Sequence, residues 1–126
     1  MENIIWYDEL DSTNNEARRV LDALDNLSVI AAVGQSAGRG QGDHTWFASP
    51  GKNITATIVL KPENLSAGDY LFVTRVTTLA LLSYLREHGV QARIKWPNDI
   101  WVEDRKICGI LIENIIDGNR MKACLI

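Results

Sequence analysis

The pattern of apolar runs predicts an α+β domain: a mixed or antiparallel sheet with helices packed on one face. Three observations carry this expectation. Short apolar runs of strand length outnumber the segments with helical spacing. Both helical segments open on a capping signature, so their starts can be read directly. The last third is a succession of short apolar runs joined by polar links, which suits a meander better than alternating strand–helix units.

The elements follow in order. "IIWYDEL" (4–10) is apolar and aromatic and predicts a short strand. In "DSTNNEARRVLDAL", Thr13 and Glu16 form a capping box, with Ala17, Val20, Leu21 and Leu24 at helical spacing behind it. Ser12, Thr13 and Asn14 therefore stand where a strand hands over to a helix. "SVIAAVGQS" (28–36) is a continuous apolar run ending near a glycine and predicts a buried strand. In "KNITATIVLKP", Ile54, Ala56, Ile58 and Leu60 alternate with Thr55, Thr57 and Val59.

The segment "SAGDYLFVTRVTTLALLSYLREHG" (66–89) predicts a long helix packed on the sheet. Ser66 and Asp69 open it, Leu71, Leu79, Leu82 and Leu85 supply the apolar pattern, and Gly89 ends it. Then come "VQARIKW", the break "PND", "IWVED", "RKICGILIENII" and "RMKACLI", a meander of about four strands. Asp117-Gly118 is a hairpin signal.

Bulk properties narrow the function classes. A chain of 126 residues with 46% hydrophobic residues suits one domain with a real core. A net charge of −3 argues against bulk electrostatic binding to nucleic acid or an anionic membrane. No apolar run approaches the ~18 residues that a membrane-spanning helix needs. The first residues lack the basic region, apolar stretch and cleavage site of a signal peptide, so a cytoplasmic protein is expected. Cys108 and Cys124 fall in apolar runs without a CxxC pair and read as small buried thiols.

Three stretches could carry chemistry. "QSAGRGQGDHTWFASPGKN" (35–53) holds Gly38, Gly40, Gly42 and Gly51. Inside a helix or strand, each would cost about 0.5–1 kcal/mol against alanine. Large aromatics set this stretch apart from a plain linker. Arg39, bracketed by glycines, could meet a phosphate or carboxylate with its planar fork; a surface turn is the plain alternative. In "IKWPNDIW", Lys95 ends a strand beside Trp96. It could oppose a developing negative charge, or it could snorkel to solvent. Asn98 and Asp99 suit a turn or a site. The hydroxyls and amide of Ser12, Thr13 and Asn14 could cap a helix or face a polar ligand.

Together, "DSTN", "GQSAGRG…W" and "KWPNDI…RKICGILIE" resemble the catalytic domain of biotin–protein ligase, in matching order over about residues 6 to 126. The resemblance implies a fold like that of class II aminoacyl-tRNA synthetases. It implies ATP and biotin as substrates with Mg2+ accompanying the ATP, formation of biotinyl-5′-AMP, and transfer of biotin to a lysine of a biotin carboxyl carrier domain. By resemblance, Ser12, Thr13, Asn14 and Gln35 meet the ureido head of biotin. Arg39, Gly40, Gln41, Lys95 and Gly109 line the biotin site. Gly38, Gly42 and Trp46 belong to the adenylate loop, and Glu113 lines the pocket. Lys95 and Arg39 are the implied catalytic cations. No resident metal site is implied.

The sequence also departs from the family pattern. Gln41, Gly42, Asp43 and His44 stand where a more basic stretch is usual. No helix-turn-helix precedes residue 4, so DNA binding is not expected. The chain stops before the "GIGxN"-type segment, so the expectation is the N-terminal part of the catalytic domain (1–126), without its remainder or the small C-terminal SH3-like domain. Many members pair through the sheet, which leaves a homodimer open. Lipoate–protein ligase, which shares the fold and chemistry, is one alternative reading. A truncated or degenerate biotin-binding module without turnover is another.

Overall fold

A computed structural model describes residues 3–126. Residues 1 and 2, with which the stretch read for a targeting signal begins, lie outside the described residues. The strands are β1 (Ile4–Leu10), β2 (Ser28–Gln35), β3 (Ala56–Leu60), β4 (Ala92–Lys95), β5 (Asp99–Val102), β6 (Arg105–Gly109), β7 (Glu113–Asp117) and β8 (Arg120–Leu125), and the helices are α1 (Thr13–Arg19) and α2 (Tyr70–Glu87). Short 3-10 turns follow α1 at Leu21–Ala23 and precede α2 at Ala67–Asp69.

The class is α+β, as expected, but the strands divide between two sheets. The larger runs β1-β2-β3-β8-β7 and the smaller β4-β5-β6. Among the described residues, only β1 and β2 pair in parallel. Parallel neighbours need a crossover, and α1 supplies it. The run "RKICGILIENII", read as one stretch of a meander, breaks after Gly109. Its first half joins the small sheet as β6 and its second half joins the large sheet as β7.

Each helix covers a different face of the large sheet, which refines the expected one-sided layout. Ala17, Leu21 and Leu24 after the N-terminus of α1 pack on Ile30, Val59, Ala123 and Leu125. Full burial of a leucine or isoleucine here is worth about 1.5–3 kcal/mol. On the other face, Val73 of α2 meets Met121 and Cys124, flanked by Leu60 and Leu65. The alternation in β3 follows from this two-sided setting. Thr57 and Val59 are fully buried, whereas Ile58 is 41% exposed and, with Ile54, Ala56 and Leu60, borders the cleft.

The leucine pattern of α2 does not mark its buried face. Val73 and Thr78 are buried, while Leu71 and Leu79 are half-exposed. Threonines can turn inward because their hydroxyls find partners within the helix: Thr77 Oγ1 donates to the Val73 carbonyl and Thr78 Oγ1 to the Thr74 carbonyl, both at 2.8 Å. The opening box is present, with Asp69 accepting from the Ser66 backbone at 2.9 Å. Gly89 closes the helix at φ +79°. Among the described residues, no helix is long and apolar enough to cross a membrane.

Candidate functional site

An open cleft of about 740 Å³ lies between the large sheet, α2 and the small sheet. Its polar end is built by the start of α1, the end of β2 and the loop that follows β2. Its apolar end is built by the outward side chains of β3 and by α2 residues such as Val73, Val76 and Leu81.

The start of α1 is organised one residue earlier than the sequence suggests. Ser12, rather than Thr13, is the N-cap, its Oγ accepting from the Asn15 backbone at 2.9 Å. That frees Thr13 to bind inward: its backbone N–H donates to Gln35 Oε1 at 2.7 Å. Thr57 Oγ1 contacts both Thr13 Oγ1, at 2.7 Å, and Asn14 Oδ1. A hydroxyl has one hydrogen, so Thr57 donates to Asn14 and accepts from Thr13. Asn14 Nδ2 donates to Glu113 Oε1 at 3.0 Å. Asn14 is thus a fully committed brace. Ser12, whose hydroxyl hydrogen has no partner among the described residues, and Gln35, with its amide hydrogens likewise, face the cleft as donors.

The glycine-rich stretch folds as a small hairpin. Arg39 and Thr45 form an antiparallel bridge. Gly40 N donates to the His44 carbonyl and Trp46 N to the Gly38 carbonyl, both at 2.8 Å. Gly38 is needed for close approach, because a Cβ there would lie 2.4 Å from the Trp46 carbonyl oxygen. Gly42 sits at the turn with φ +61°. Gly40, Gln41 and Trp46 border the cleft, whereas Gly38 and Gly42 shape the hairpin from behind. Asp43 and His44 are exposed at the tip.

Arg39 turns from this hairpin to Glu113 at the start of β7. Nη1 donates to Oε2 and Nη2 to Oε1, both at 2.7 Å, and Nη2 also donates to Asn15 Oδ1 at 2.6 Å. The hydrogen bonds from Arg39 hold the Glu113 carboxyl below the usual carboxylate range, against a smaller opposing effect of burial. The Glu113 carboxylate in turn raises Arg39. Behind Asn15, Asp11 grips Arg19 at 2.6 Å. The Arg19 guanidinium, then the Asn15 amide, keep Asp11 well below its ordinary value.

Lys95 ends β4, the far strand of the small sheet, and no residue of β4 borders the cleft, but Lys95 pairs with the cleft-lining Asp99 and so stands on the same face of that sheet. Its Nζ sits over the Trp101 ring, 4.9 Å from the centroid. The strand next to the cleft is β6, and the cationic group there is Lys106. Its Nζ is 2.8 Å from Asp99 Oδ1 and 4.8 Å from the Trp46 ring centroid. A register shift in the β5–β6 pairing explains how it arrives. Asp99 pairs with Gly109 and Ile100 with Cys108, but Trp101 pairs with Lys106. Residues 106 and 109 would face opposite ways in a regular strand; the bulge puts both on the face of Asp99. Lys106 lies within the quoted "RKICGILIE", where no role is read for it from the sequence. Asn98 and Asp99 also border the cleft, with the Asn98 amide donating to the Ile110 carbonyl.

Gly109 borders the cleft as expected, but what approaches its backbone is the Trp46 ring, 2.8 Å from where a Cβ would stand. Cys108 and Cys124 are free thiols. Burial pushes both up, Cys124 to about 11. Among the described residues, no group of three or more His, Cys, Asp and Glu side chains could hold a metal ion.

Comparison with known proteins bears on the family and the fold. Residues 6–126 match the model of the biotin/lipoate A/B protein ligase family. The biotin–[acetyl-CoA-carboxylase] ligase of Paracoccus denitrificans is 33% identical over 90% of this chain and 48% of its own length. The biotin protein ligase of Aquifex aeolicus, solved with biotin and ATP, superposes with a TM-score of 0.77 at 26% identity, covering 99% of this chain and 51% of that one. The biotin acetyl coenzyme A carboxylase synthetase of Helicobacter pylori, solved with biotinylated ATP, gives 0.69 at 28% identity, covering 97% and 58%. The chain thus spans about half the length of the Paracoccus relative.

Proposed function

Because the chain belongs to the biotin/lipoate A/B protein ligase family, we propose that it carries the biotin-activating part of a biotin–protein ligase. In that reaction a biotin carboxylate oxygen attacks the α-phosphorus of ATP, and pyrophosphate leaves. A lysine amine of a biotin carboxyl carrier domain then attacks the mixed anhydride, and AMP leaves.

One observation carries the reading: Ser12, Gln35, Arg39 and Lys106 all face a single cleft. Ser12 and Gln35 offer hydrogens to a carbonyl acceptor such as a ureido oxygen. Thr13 and Asn14 fix the backbone and amide frame behind them. The apolar wall of β3 and α2 suits a ring and an alkyl chain. At the far end of that chain a carboxylate and a phosphate carry negative charge. Lys106 takes the role first expected of Lys95: a preorganised cation, anchored by Asp99 and Trp46, opposing charge that builds in the transition state. Arg39 stands at the polar end, beside Asn15 and Glu113, and supplies a second cation from the hairpin. Mg2+ would enter on the phosphate oxygens of ATP as part of the substrate.

The solved relatives named with biotin and ATP or biotinylated ATP favour biotin over lipoate. The two free thiols suit a reducing, cytoplasmic setting. The net charge of −3 gives no support for DNA as a partner. Strands β1 and β7 are the outer strands of the large sheet and offer edges for a second copy.

The test is titration calorimetry with biotin and with lipoate, followed by pyrophosphate release with biotin and ATP. Heat with biotin together with pyrophosphate release supports the ligase. Heat with lipoate alone overturns the choice of substrate. Biotin binding without pyrophosphate release leaves a binding module.

A further inference from the structure

We propose that Glu113 is a positioning residue for Arg39: it holds the guanidinium over the cleft and competes with an anionic ligand for the same edge of that group. This rests on the reading above only in naming biotin as the anionic probe.

The argument begins with a count of hydrogens. A guanidinium carries five N–H groups. Three of those on Arg39 are engaged, two by the Glu113 carboxylate and one by Asn15. The free ones, on Nε and on the outer side of Nη1, lie on different edges of the planar group. They cannot together grip two oxygens of one carboxylate or phosphate. A bidentate grip on a ligand therefore requires Arg39 to give up Glu113 or Asn15. Glu113 is the partner able to yield. It keeps the Asn14 amide at 3.0 Å, so its carboxylate is not stranded when the arginine leaves. Both side chains are also partly exposed, at 38% and 23%, so solvent screens the pair and the exchange is cheap.

The same contact fastens the hairpin. Arg39 forms the bridge to Thr45 at the hairpin base. Trp46, one residue beyond that bridge, lies on Gly109. The hairpin is therefore held at two points to one short segment, residues 109–113. Loss of the Glu113 charge should loosen one hold and leave the other. Asp11 reaches Arg39 only through Asn15, whose amide nitrogen donates to it at 2.9 Å, so it does not substitute for Glu113.

The experiment has two arms on Glu113→Gln, which keeps the shape and removes the charge. In the first, limited trypsin digestion is read by mass spectrometry at the Arg39–Gly40 bond. Cleavage there should run about fivefold faster than in the parent, because proteolysis follows local opening. Cleavage at Arg86 serves as the internal control and should not change. Equal rates at residue 39 would overturn the hold on the hairpin. In the second arm, calorimetry compares biotin with biotinol, its uncharged alcohol analogue. If Glu113 competes, removing its charge should raise the preference for biotin over biotinol by about three- to tenfold. An unchanged preference would overturn the competition, even if the melting temperature falls, since a purely structural brace moves both ligands alike. If the parent binds neither ligand, the biotin reading falls and the trypsin arm alone decides the role of Glu113. If Glu113→Gln does not fold, Arg39→Lys replaces it in the trypsin arm. Lysine keeps the charge and the cleavage site but cannot span both carboxylate oxygens, so cleavage should again accelerate.

Discussion

The indole of Trp46 occupies the space that a side chain on Gly109 would need: a Cβ at 109 would lie 2.8 Å from Cη2 and 2.9 Å from Cζ3. The ring also lies under the Lys106 ammonium. One aromatic side chain thus ties the end of the hairpin to the strand that carries the cationic group of the cleft.

Gly109→Ala should therefore unseat Trp46 without straining its own backbone, since Gly109 is not among the residues with positive φ. The ring is 38% exposed and its tip can swing aside, so the cost falls below that of overpacking a closed core. The expected result is a lower denaturant midpoint with an unchanged slope. Indole fluorescence should also shift, and Trp46→Phe should abolish that shift. A Gly109→Ala variant with parental stability and fluorescence would mean that the ring is not held there.

The two lysines of the small sheet should separate cleanly. Lys106→Ala removes the cation on the cleft wall and, in a chain competent for adenylation, should slow biotinyl-AMP formation by about 10²–10³-fold, the usual effect of deleting one preorganised electrostatic group. Lys95→Ala removes a lysine resting on Trp101 and should change that rate little. Pyrophosphate release in single turnover measures both. A larger loss from Lys95→Ala would reverse the assignment.

Thr57→Val tests the polar brace behind the cleft. The substitution keeps the volume but leaves Asn14 Oδ1 and the Thr13 hydroxyl without their buried partner. Such an unsatisfied group costs about 1–3 kcal/mol. Chemical denaturation should show that loss, and biotin affinity should fall because Asn14 is no longer fixed. A neutral Thr57→Val would remove Thr57 from this role.

The pH dependence has a definite sign. Asp11 and Glu113 both titrate lower in the folded chain than their ordinary values, mainly because Arg19 and Arg39 hydrogen-bond to the charged forms. Their contribution is fully present above the unfolded carboxylate range. It is lost as pH falls below about 4 through the folded values. Denaturant midpoints taken from neutral pH downward should decline in that window. Glu113→Gln should flatten the part of the decline that Glu113 contributes.

Much of the fold was legible along the chain. The strands at 4–10 and 28–36, the box at Ser66 and Asp69, the stop at Gly89 and the hairpin signalled by Asp117-Gly118, whose turn is Gly118–Asn119, depend on neighbours a few residues away. Such local chemistry is written in order. Two readings differ from the structure at contacts that are local but that hydrophobicity and motif spacing do not carry. Threonines on α2 turned inward because their hydroxyls bond to the helix itself, so hydrophobicity alone misplaced the buried face. The capping box read at Thr13 and Glu16 does not form. Instead Glu16 accepts from Arg19 at 2.7 Å, and Ser12 caps the helix.

By itself the sequence determined the α+β class and the family, because apolar runs, capping signals and motif residues are read over short spans. Only the tertiary structure decided which lysine reaches the cleft and what Arg39 holds. Lys106 arrives through a one-residue bulge in the β5–β6 pairing. Glu113 meets Arg39 from 74 positions away, after the chain has crossed from one sheet to the other. Strand register and sheet membership are set by pairing between distant segments, and a shift of one residue reverses the face a side chain occupies.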